Sequence, residues 1–390
     1  MHERTVGADT AVLVSLNFGV SDYAESLEEL RLLAESAGVR SVAIVEGKRQ
    51  RPDPAFYAGS GKVQEIAEIV ERLEAPLVIF NHDLSPAQMR NLTTKLDTRV
   101  IDRTMLILDI FAQRAQSHEG KVQVELAQLR YLATRLVGLG SGMEQQRYAI
   151  GARGPGETKL ELDRRKLDKR VHFLKDRLDK LRRQRVVQRR ARNRADVFSV
   201  SIVGYTNAGK STLFNRLTSA HAYVADQLFA TLDTTSRRMF TEAAPDSPAD
   251  NGKPGEGRQV VVSDTVGFIR HLPHSLVAAF RSTLEETTQA DLLLHVVDAN
   301  SPNRDDQVAE VNKVLREIGA QHIPQILVLN KIDLQELPAA VERDEYDRIA
   351  RIRLSAKTGA GIDELRKALA EMRNARAQDA PTQEWHPLDK

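Results

Sequence analysis

Hydrophobic positions recur along this chain with two periods, one typical of strands and one typical of helices. Short apolar runs at Ala11–Leu16, Ser41–Val45 and Leu77–Phe80 predict strands, and apolar faces at helical spacing lie between them. Because strands alternate with helices, we predict a small α/β domain with a mostly parallel sheet over residues 1–115. Inside it, Gly59-Ser60-Gly61-Lys62 lacks the leading glycine and the closing hydroxyl of a phosphate loop. We interpret it as a turn before a helix, and direct contact with phosphate or an RNA backbone is the alternative.

The next segment, residues 116–195, keeps a heptad-like spacing that predicts two long helices folded into an antiparallel hairpin. The apolar seam positions are Leu126, Leu129, Ala133 and Leu136 in the first helix and Leu167, Val171, Leu174, Leu178 and Leu181 in the second. The predicted loop between the helices is rich in glycine, at Gly138, Gly140, Gly142, Gly151, Gly154 and Gly156. Such a tip suits insertion into a crowded polar site, and a plain flexible connector is the alternative.

Residues 196–373 alternate strands and helices as a doubly wound sheet requires, so we predict a third domain there. Its predicted strands are Phe198–Val203, Val260–Ser263, Leu292–Val297, Gln325–Leu329 and Ile352–Leu354. Glu242–Arg258 holds three prolines and three glycines, which favours a solvent-exposed, disordered insertion. Residues 374–390 form a polar tail.

A phosphate-binding loop follows the first strand of this third domain and precedes a helical pattern. Its backbone N–H groups and the helix N-terminus would form an anion cradle, Lys210 would neutralise the outer phosphates, and the Ser211 hydroxyl would bind Mg²⁺. The loop residues are Gly204, Tyr205, Thr206, Asn207, Ala208, Gly209, Lys210 and Ser211.

Three more polar motifs stand at the ends of predicted strands, and they indicate which nucleotide is bound. Asp264 can hold the Mg²⁺ water shell, and Gly267 can offer its N–H to a γ-phosphate. Asp333 can accept from the N1–H and amine of guanine, a donor pair that adenine lacks, while Lys331 lies along the base. Ordinary turn residues are the alternative at Asn330 and Asp333. The predicted contacts are Asp264, Thr265, Val266 and Gly267, then Asn330, Lys331, Ile332 and Asp333, then Ser355, Ala356 and Lys357.

Composition narrows the class of protein. With 390 residues, 41% of them hydrophobic, the chain is long enough for two or three folded domains. It has no cysteine, which excludes disulfides, thiolate metal sites and cysteine nucleophiles. No apolar run approaches the length of a membrane span or a signal segment, so we expect a soluble, cytoplasmic protein. We also expect it to be a monomer.

Positive charge is concentrated in one segment although the net charge of the chain is only +2. Residues 151–196 carry 17 Lys or Arg against 7 Asp or Glu, a local net charge of +10. This favours a polyanionic partner, most plausibly RNA, over the alternative of a solvated helix face.

The motif set as a whole resembles the HflX family of bacterial translational GTPases. The resemblance covers about Ala11 to Met372, and Arg153–Thr158 (Arg-Gly-Pro-Gly-Glu-Thr), Leu160–Arg165 and Pro52–Lys62 add to the nucleotide motifs. It implies a protein that binds GTP and GDP, hydrolyses GTP, associates with the large ribosomal subunit and its RNA, and splits or rescues stalled ribosomes.

The resemblance also assigns a first switch loop, formed by Phe229, Ala230, Thr231, Leu232 and Asp233. Thr231 would be the second protein ligand of Mg²⁺ beside Ser211, with Thr234 and Thr235 as rival candidates. Phe268 stands where many GTPases place a glutamine that orients water. We therefore expect Phe268 to pack against the switch helix, and hydrolysis to be slow in isolation. Asn207 resembles a residue that helps to hold K⁺ beside the phosphates. Catalysis is thus assigned to Asn207, Lys210, Thr231 and Gly267, with Mg²⁺ and K⁺ as cofactors.

Two alternatives to a ribosome-bound switch remain open. One is an RNA-binding GTPase in ribosome assembly or RNA modification, although the absence of cysteine argues against cysteine-dependent modification. The other is an RNA-tethering module with a structural nucleotide site, which the intact Lys210, Ser211, Asp264 and Asp333 argue against.

Overall fold

The fold was analysed in a computed structural model, which describes residues 10–19, 22–144, 159–193, 197–218, 228–229, 231–240, 259–270 and 281–379. The described residues fall into two compact units. The first draws on Met1–Val187, Asp226–Asp233 and Arg270–Ser282, and the second on Gln188–Ala225, Thr234–Ile269 and Thr283–Lys390. Two short segments from the later part of the chain therefore belong to the first unit.

The first unit contains a four-stranded parallel sheet in the order β2-β1-β3-β4. Its strands are β1 (Thr10–Asn17), β2 (Arg40–Lys48), β3 (Leu77–Phe80) and β4 (Arg99–Ile101), and its helices are α1 (Tyr23–Ser36), α2 (Ser60–Leu73), α3 (Pro86–Leu96) and α4 (Arg103–Arg114). The predicted α/β domain is confirmed, with β4 as an additional short strand. Gly59 has a φ of 81° and α2 begins at the next residue, as a turn before a helix requires.

The two predicted long helices are α5 (His118–Glu144) and α6 (Lys159–Asn193), and we call them the arm. Val122 and Leu126 pack with Leu174 in a buried cluster, to which Leu129, Val171 and Leu178 add partly buried contacts. This confirms the central part of the predicted seam. One prediction was wrong, because α5 includes Gly138, Gly140 and Gly142, which were assigned to the loop. A glycine costs a helix only about 1 kcal/mol relative to alanine, so these three positions weaken a helix without excluding it. The predicted tip from Gly151 to Thr158 lies outside the described residues.

The second unit is built on a seven-stranded sheet in the order β10-β11-β9-β8-β5-β7-β6. The strands are β5 (Phe198–Gly204), β6 (Thr235–Phe240), β7 (Gln259–Asp264), β8 (Leu292–Asp298), β9 (Gln325–Asn330), β10 (Ala340–Arg343) and β11 (Ile349–Arg353). Only the pairs that involve the edge strands β6 and β10 are antiparallel. The helices after α6 are α7 (Lys210–Thr218), α8 (Arg281–Thr288), α9 (Arg304–Glu317) and α10 (Ile362–Asp379). This confirms the predicted doubly wound sheet.

The central strands of this sheet are buried in one hydrophobic core. Val200, Ile202, Leu294, Val296 and Val328 are almost fully buried and belong to one cluster, which also includes the helix residues Phe214 and Leu365. Parallel strands buried on both faces place their carboxyl ends along one edge, where loops can converge on a ligand. The predicted insertion from Glu242 to Arg258 lies outside the described residues, and α10 continues past the predicted boundary at residue 373. Among the helices that the structure describes, none combines the length and apolar character needed to cross a bilayer.

Candidate functional site

The phosphate loop connects β5 to α7, as the sequence predicts. Two of its residues have positive φ, with values of 60° at Asn207 and 92° at Gly209, and α7 begins at Lys210. A side chain at Gly209 would collide with the amide of Asn330, so this position needs glycine for space as well as for conformation. A loop with these two positive φ values, followed directly by the N-terminus of α7, has the backbone conformation that is suited to bind phosphate.

Lys210 lies at the start of α7, and its side chain is buried. Its Nζ donates to the carbonyl oxygen of Tyr205 across 2.7 Å. Burial lowers the pKa of Lys210 to about 8, and the charge of Asp264 opposes part of that shift. A buried ammonium group with a depressed pKa is poised to gain an anionic ligand, because phosphate oxygens would restore the charged form.

Ser211 and Asp264 form the oxygen pair that is expected to serve Mg²⁺. The Ser211 hydroxyl donates to a carboxylate oxygen of Asp264 across 2.7 Å, and Asp264 is fully buried at the end of β7. Thr265 is held in place because its hydroxyl donates to the Ile202 carbonyl at 2.7 Å. Hydroxyl and carboxylate oxygens are hard ligands that fit Mg²⁺, so these residues suit the metal that accompanies a nucleoside triphosphate.

Gly267 and Phe268 lie directly against the phosphate loop. The Thr206 N–H donates to the Phe268 carbonyl at 2.8 Å, and the Phe268 N–H donates to the Gly204 carbonyl at 3.2 Å. Phe268 is 1% exposed, so its side chain packs in the protein, as predicted. The helix against which we predicted it to pack lies outside the described residues.

Hydrogen bonds join the two predicted base-recognition motifs, Asn330–Asp333 and Ser355–Lys357, to each other and to the phosphate loop. The Asn330 amide donates to the Ala208 carbonyl at 2.8 Å and accepts from the Ala356 N–H at 2.9 Å, so it ties the phosphate loop to the loop Ser355–Lys357. The Asp333 carboxylate accepts from the Ser355 hydroxyl at 2.6 Å. These contacts hold the base-facing loops together, and the assignment of Asp333 to guanine remains a prediction.

Two supporting residues were missed by sequence reasoning. Asp298 at the end of β8 pairs with Lys331 at 2.8 Å, and it fixes a lysine whose backbone is left-handed with a φ of 65°. Arg216 in α7 donates to the carbonyls of Ala356 and Lys357 at 3.3 and 2.5 Å. The only signal for Asp298 was its place at the end of a buried strand, and Arg216 carried none.

The predicted switch segment, Phe229–Asp233, belongs to the first unit. Phe229 is 2% exposed and meets the Phe111 ring edge-on at 4.6 Å between ring centroids. Leu232 is also buried, and Asp233 accepts hydrogen bonds from the start of α5. Ala230 lies outside the described residues. The assignment of Phe229–Asp233 to the nucleotide, and of Thr231 to Mg²⁺, therefore remains a prediction.

Arg270, three positions after Gly267, belongs to a cluster of charged residues in the first unit. Arg270 pairs with Asp22 at 2.5 Å and with Glu25 at 2.6 Å. Arg103 pairs with Glu29 at 2.5 Å, and its guanidinium also donates to the Arg270 carbonyl at 3.3 Å. Sequence reasoning did not find this cluster, because the partners are distant in the chain.

Comparisons with known proteins agree with this geometry. Residues 24–112 match the family model described as GTP-binding GTPase N-terminal, residues 114–192 match GTP-binding GTPase Middle Region, and residues 199–331 match 50S ribosome-binding GTPase. A crystal structure of SsGBP in complex with GDP is 25% identical, with a TM-score of 0.51, and the alignment covers 94% of this chain and 99% of that one.

Two curated relatives show the family. GTPase HflX of Escherichia coli (strain K12) is 52% identical over 372 residues, which cover 95% of this chain and 84% of the relative. GTPase HflX of Caldanaerobacter subterraneus subsp. tengcongensis is 46% identical over 370 residues, 95% of this chain and 82% of that relative. With this similarity over nearly the whole length, and with the phosphate loop, Asp264 and the base loops assembled in one unit, the chain belongs to the HflX family of GTPases and is an enzyme that binds and hydrolyses GTP.

Proposed function

We propose that this GTPase binds the large ribosomal subunit and uses its nucleotide cycle to split or rescue ribosomes, as a cytoplasmic monomer. The observation that carries the proposal is the match of residues 199–331 to the 50S ribosome-binding GTPase model. The basic arm gives a physical reason for a partner made of RNA, because clustered Lys and Arg gain free energy when they neutralise phosphates and release counterions.

The described part of α6 exposes more basic than acidic side chains, its exposed acids being Asp168, Asp176 and Asp179. Its exposed side chains include Arg164, Arg165, Lys166, Lys169, Arg170, Arg177, Lys180 and Arg183. Phe173 is 51% exposed among them, and the Arg170 guanidinium lies 5.4 Å from the centre of its ring. Exposed aromatic rings beside arginine are suited to stacking on unpaired bases, so this face combines charge with a stacking platform.

Hydrolysis is slow until a partner completes the site. The Phe268 side chain carries no group that could orient the attacking water, and its backbone is hydrogen-bonded to the phosphate loop. We propose that backbone groups or the partner position that water, that Thr231 joins Ser211 on Mg²⁺, and that Asn207 helps K⁺ to supply positive charge in the transition state.

Co-sedimentation tests the partner directly. Protein loaded with a non-hydrolysable GTP analogue is centrifuged with purified large subunits at low and at physiological salt. We expect co-migration that weakens steeply with salt, and a smaller salt slope when Arg182, Arg183, Arg189 and Arg190 are changed to glutamine. Each phosphate that the variant no longer neutralises lowers the logarithmic slope by about 0.7–0.9. Lys313→Gln with Lys367→Gln, exposed positions on α9 and α10, is the matched control and should keep the parent slope.

A deletion separates the proposed roles of the arm and the nucleotide site. Removing residues 140–156 should preserve GTP binding and abolish the splitting of ribosomes. A parent protein that fails to co-migrate at low salt would contradict the ribosomal proposal. Binding to immature particles alone would favour the alternative role in assembly.

A further inference from the structure

Asp233, the last residue of the first switch segment, lies at the N-terminus of the arm. One of its carboxylate oxygens accepts from the N–H groups of Gln116 and Ser117, each at 2.8 Å. The other accepts from the Ser117 hydroxyl. Asp233 and Ser117 both belong to the first unit, although 116 positions separate them in the sequence. A carboxylate at the start of a long helix is stabilised by unpaired N–H groups and by the helix dipole.

The beginning of α5 is shaped to receive this carboxylate. Ser117 is the N-cap, because its hydroxyl oxygen accepts from the Gly120 N–H at 2.8 Å while the hydroxyl hydrogen is given to Asp233. A Cβ atom at Gly120 would collide with the Asp233 carboxylate. Glycine in the first turn of a helix is otherwise unfavourable, and this close approach gives a physical reason for it.

The other end of the switch segment is also anchored. The Leu228 N–H donates to the Ser36 hydroxyl at 3.0 Å, and the Phe229 ring packs on Phe111. Thr231 therefore stands between one anchor at Leu228–Phe229 and a second at Asp233. A segment fixed at both ends loses little further backbone freedom when a ligand engages its centre.

We infer that Asp233 is a positioning residue that orders the switch segment around Thr231 by binding the N-cap residue of α5 and the residue before it, so that this contact and triphosphate binding strengthen each other. The inference rests on the proposed role of Thr231 at the Mg²⁺ ion of GTP. Because coupling between two sites is reciprocal, a GTP analogue also tightens the first turn of α5, and GDP does not.

The test measures the affinities of a fluorescent GTP analogue and of fluorescent GDP in the full chain with Mg²⁺, without ribosomes. Asp233→Ala is expected to lower the affinity for the GTP analogue about fivefold to tenfold, because the hydrogen bonds that fix the end of the switch segment are lost, and to change the affinity for GDP less than twofold. Asp233→Asn keeps one acceptor oxygen and should give an intermediate loss.

Gly120→Ala removes the same contact while Asp233 stays intact. It should lower the preference for the GTP analogue in the same way, although alanine favours the helix itself. Gly61→Ala is the matched control, since Gly61 lies in the first turn of α2 and a Cβ there meets nothing within 4 Å. It should keep the parent affinities for both nucleotides.

Hydrogen exchange provides a readout that a merely structural role would not move. In the parent protein, the GTP analogue should slow exchange over residues 116–125 relative to GDP, and this difference should vanish in Asp233→Ala. Equal losses for both nucleotides, an unchanged preference, or a gain in affinity for the GTP analogue would overturn the inference.

Thr231→Ala, measured in parallel, distinguishes the positioning role of Asp233 from the proposed role of Thr231 at Mg²⁺. If this variant loses the preference for the GTP analogue and Asp233→Ala does not, the positioning role of Asp233 alone is wrong. If Thr231→Ala keeps the preference, the role of Thr231 at Mg²⁺ is wrong, and the positioning role built on it falls as well.

Discussion

Replacing Asn330 by alanine removes both hydrogen bonds that join the phosphate loop to the loop Ser355–Lys357. Asn330 is 2% exposed, and its partners are the Ala208 carbonyl at 2.8 Å and the Ala356 N–H at 2.9 Å. The variant leaves both backbone groups without the partner that the amide supplied. A buried group that loses its partner costs about 1–3 kcal/mol, so with some relief by water we expect a total loss of roughly 3 kcal/mol in the free energy of unfolding.

This loss is large enough to measure by thermal unfolding. For a domain of 150–250 residues, 1 kcal/mol shifts the melting temperature by about 2–4 °C, so Asn330→Ala should melt roughly 6–12 °C below the parent. Affinity for GDP should fall as well, because the phosphate loop and the base loops lose their connection. Circular dichroism of the nucleotide-free full chain gives the melting temperature, and a GDP titration gives the affinity.

An exposed asparagine in the same unit supplies the control. Asn300 follows β8, and its side-chain oxygen accepts from Gln335 at 3.0 Å near the surface. Asn300→Ala should stay within about 0.5 kcal/mol of the parent. If Asn330→Ala melts with the parent and binds GDP equally well, the reasoning that this amide joins the two loops is refuted.

Four other predictions concern the nucleotide. Asp333→Asn should lower the affinity for GTP and raise the affinity for xanthosine triphosphate, because the side chain then matches a different donor pattern on the base. Competition binding measures both affinities, and an unchanged preference for GTP would contradict the assignment of Asp333. Lys210→Ala should abolish triphosphate binding. In the parent protein, GTP binding should be accompanied by uptake of a proton near pH 8.5 but not below pH 7, because the Lys210 pKa of about 8 in the free protein rises when phosphate binds. Calorimetry in buffers of different ionisation enthalpy measures this uptake. The absence of uptake at pH 8.5 would argue against a neutral Lys210 in the free protein. Turnover should be faster in K⁺ than in Na⁺, and Asn207→Ala should remove the difference; equal parent rates in both salts end the K⁺ proposal.

Elements with strong local patterns were predictable from the sequence. The buried strands β5, β8 and β9 are continuous apolar runs, and polar motifs mark their carboxyl ends. The predicted and observed bounds of these strands therefore differ by at most one residue. The loop geometry at Gly209 and Lys210 followed from the same local pattern.

Edge strands gave no such signal. β6 presents two exposed arginines, Arg237 and Arg238, and Phe240 is 63% exposed, so it has neither the apolar run nor the alternation that marks a buried strand. β10 alternates exposed and half-buried positions over only four residues. Both pair on one side only, and their identity as strands comes from the neighbour rather than from their own residues.

Contacts between distant segments were out of reach for a physical reason. The motif Phe229–Asp233 could be placed by its resemblance to a switch loop, but nothing in its residues says that Asp233 binds Ser117, the N-cap of a helix that begins at His118. The pairing of Arg270 with Asp22 and Glu25 is equally invisible, since a charged residue in a sequence is compatible with many partners. Tertiary structure selects one of them.

The most direct test of the proposed function is the rate of GTP hydrolysis with and without purified large ribosomal subunits, in K⁺ and at low salt. We predict slow turnover by the isolated protein, because Phe268 cannot orient water, and a rate about tenfold or more higher when large subunits are present. The stimulation should fall when Arg182, Arg183, Arg189 and Arg190 are neutralised. A rate that large subunits leave unchanged would contradict a role on the ribosome.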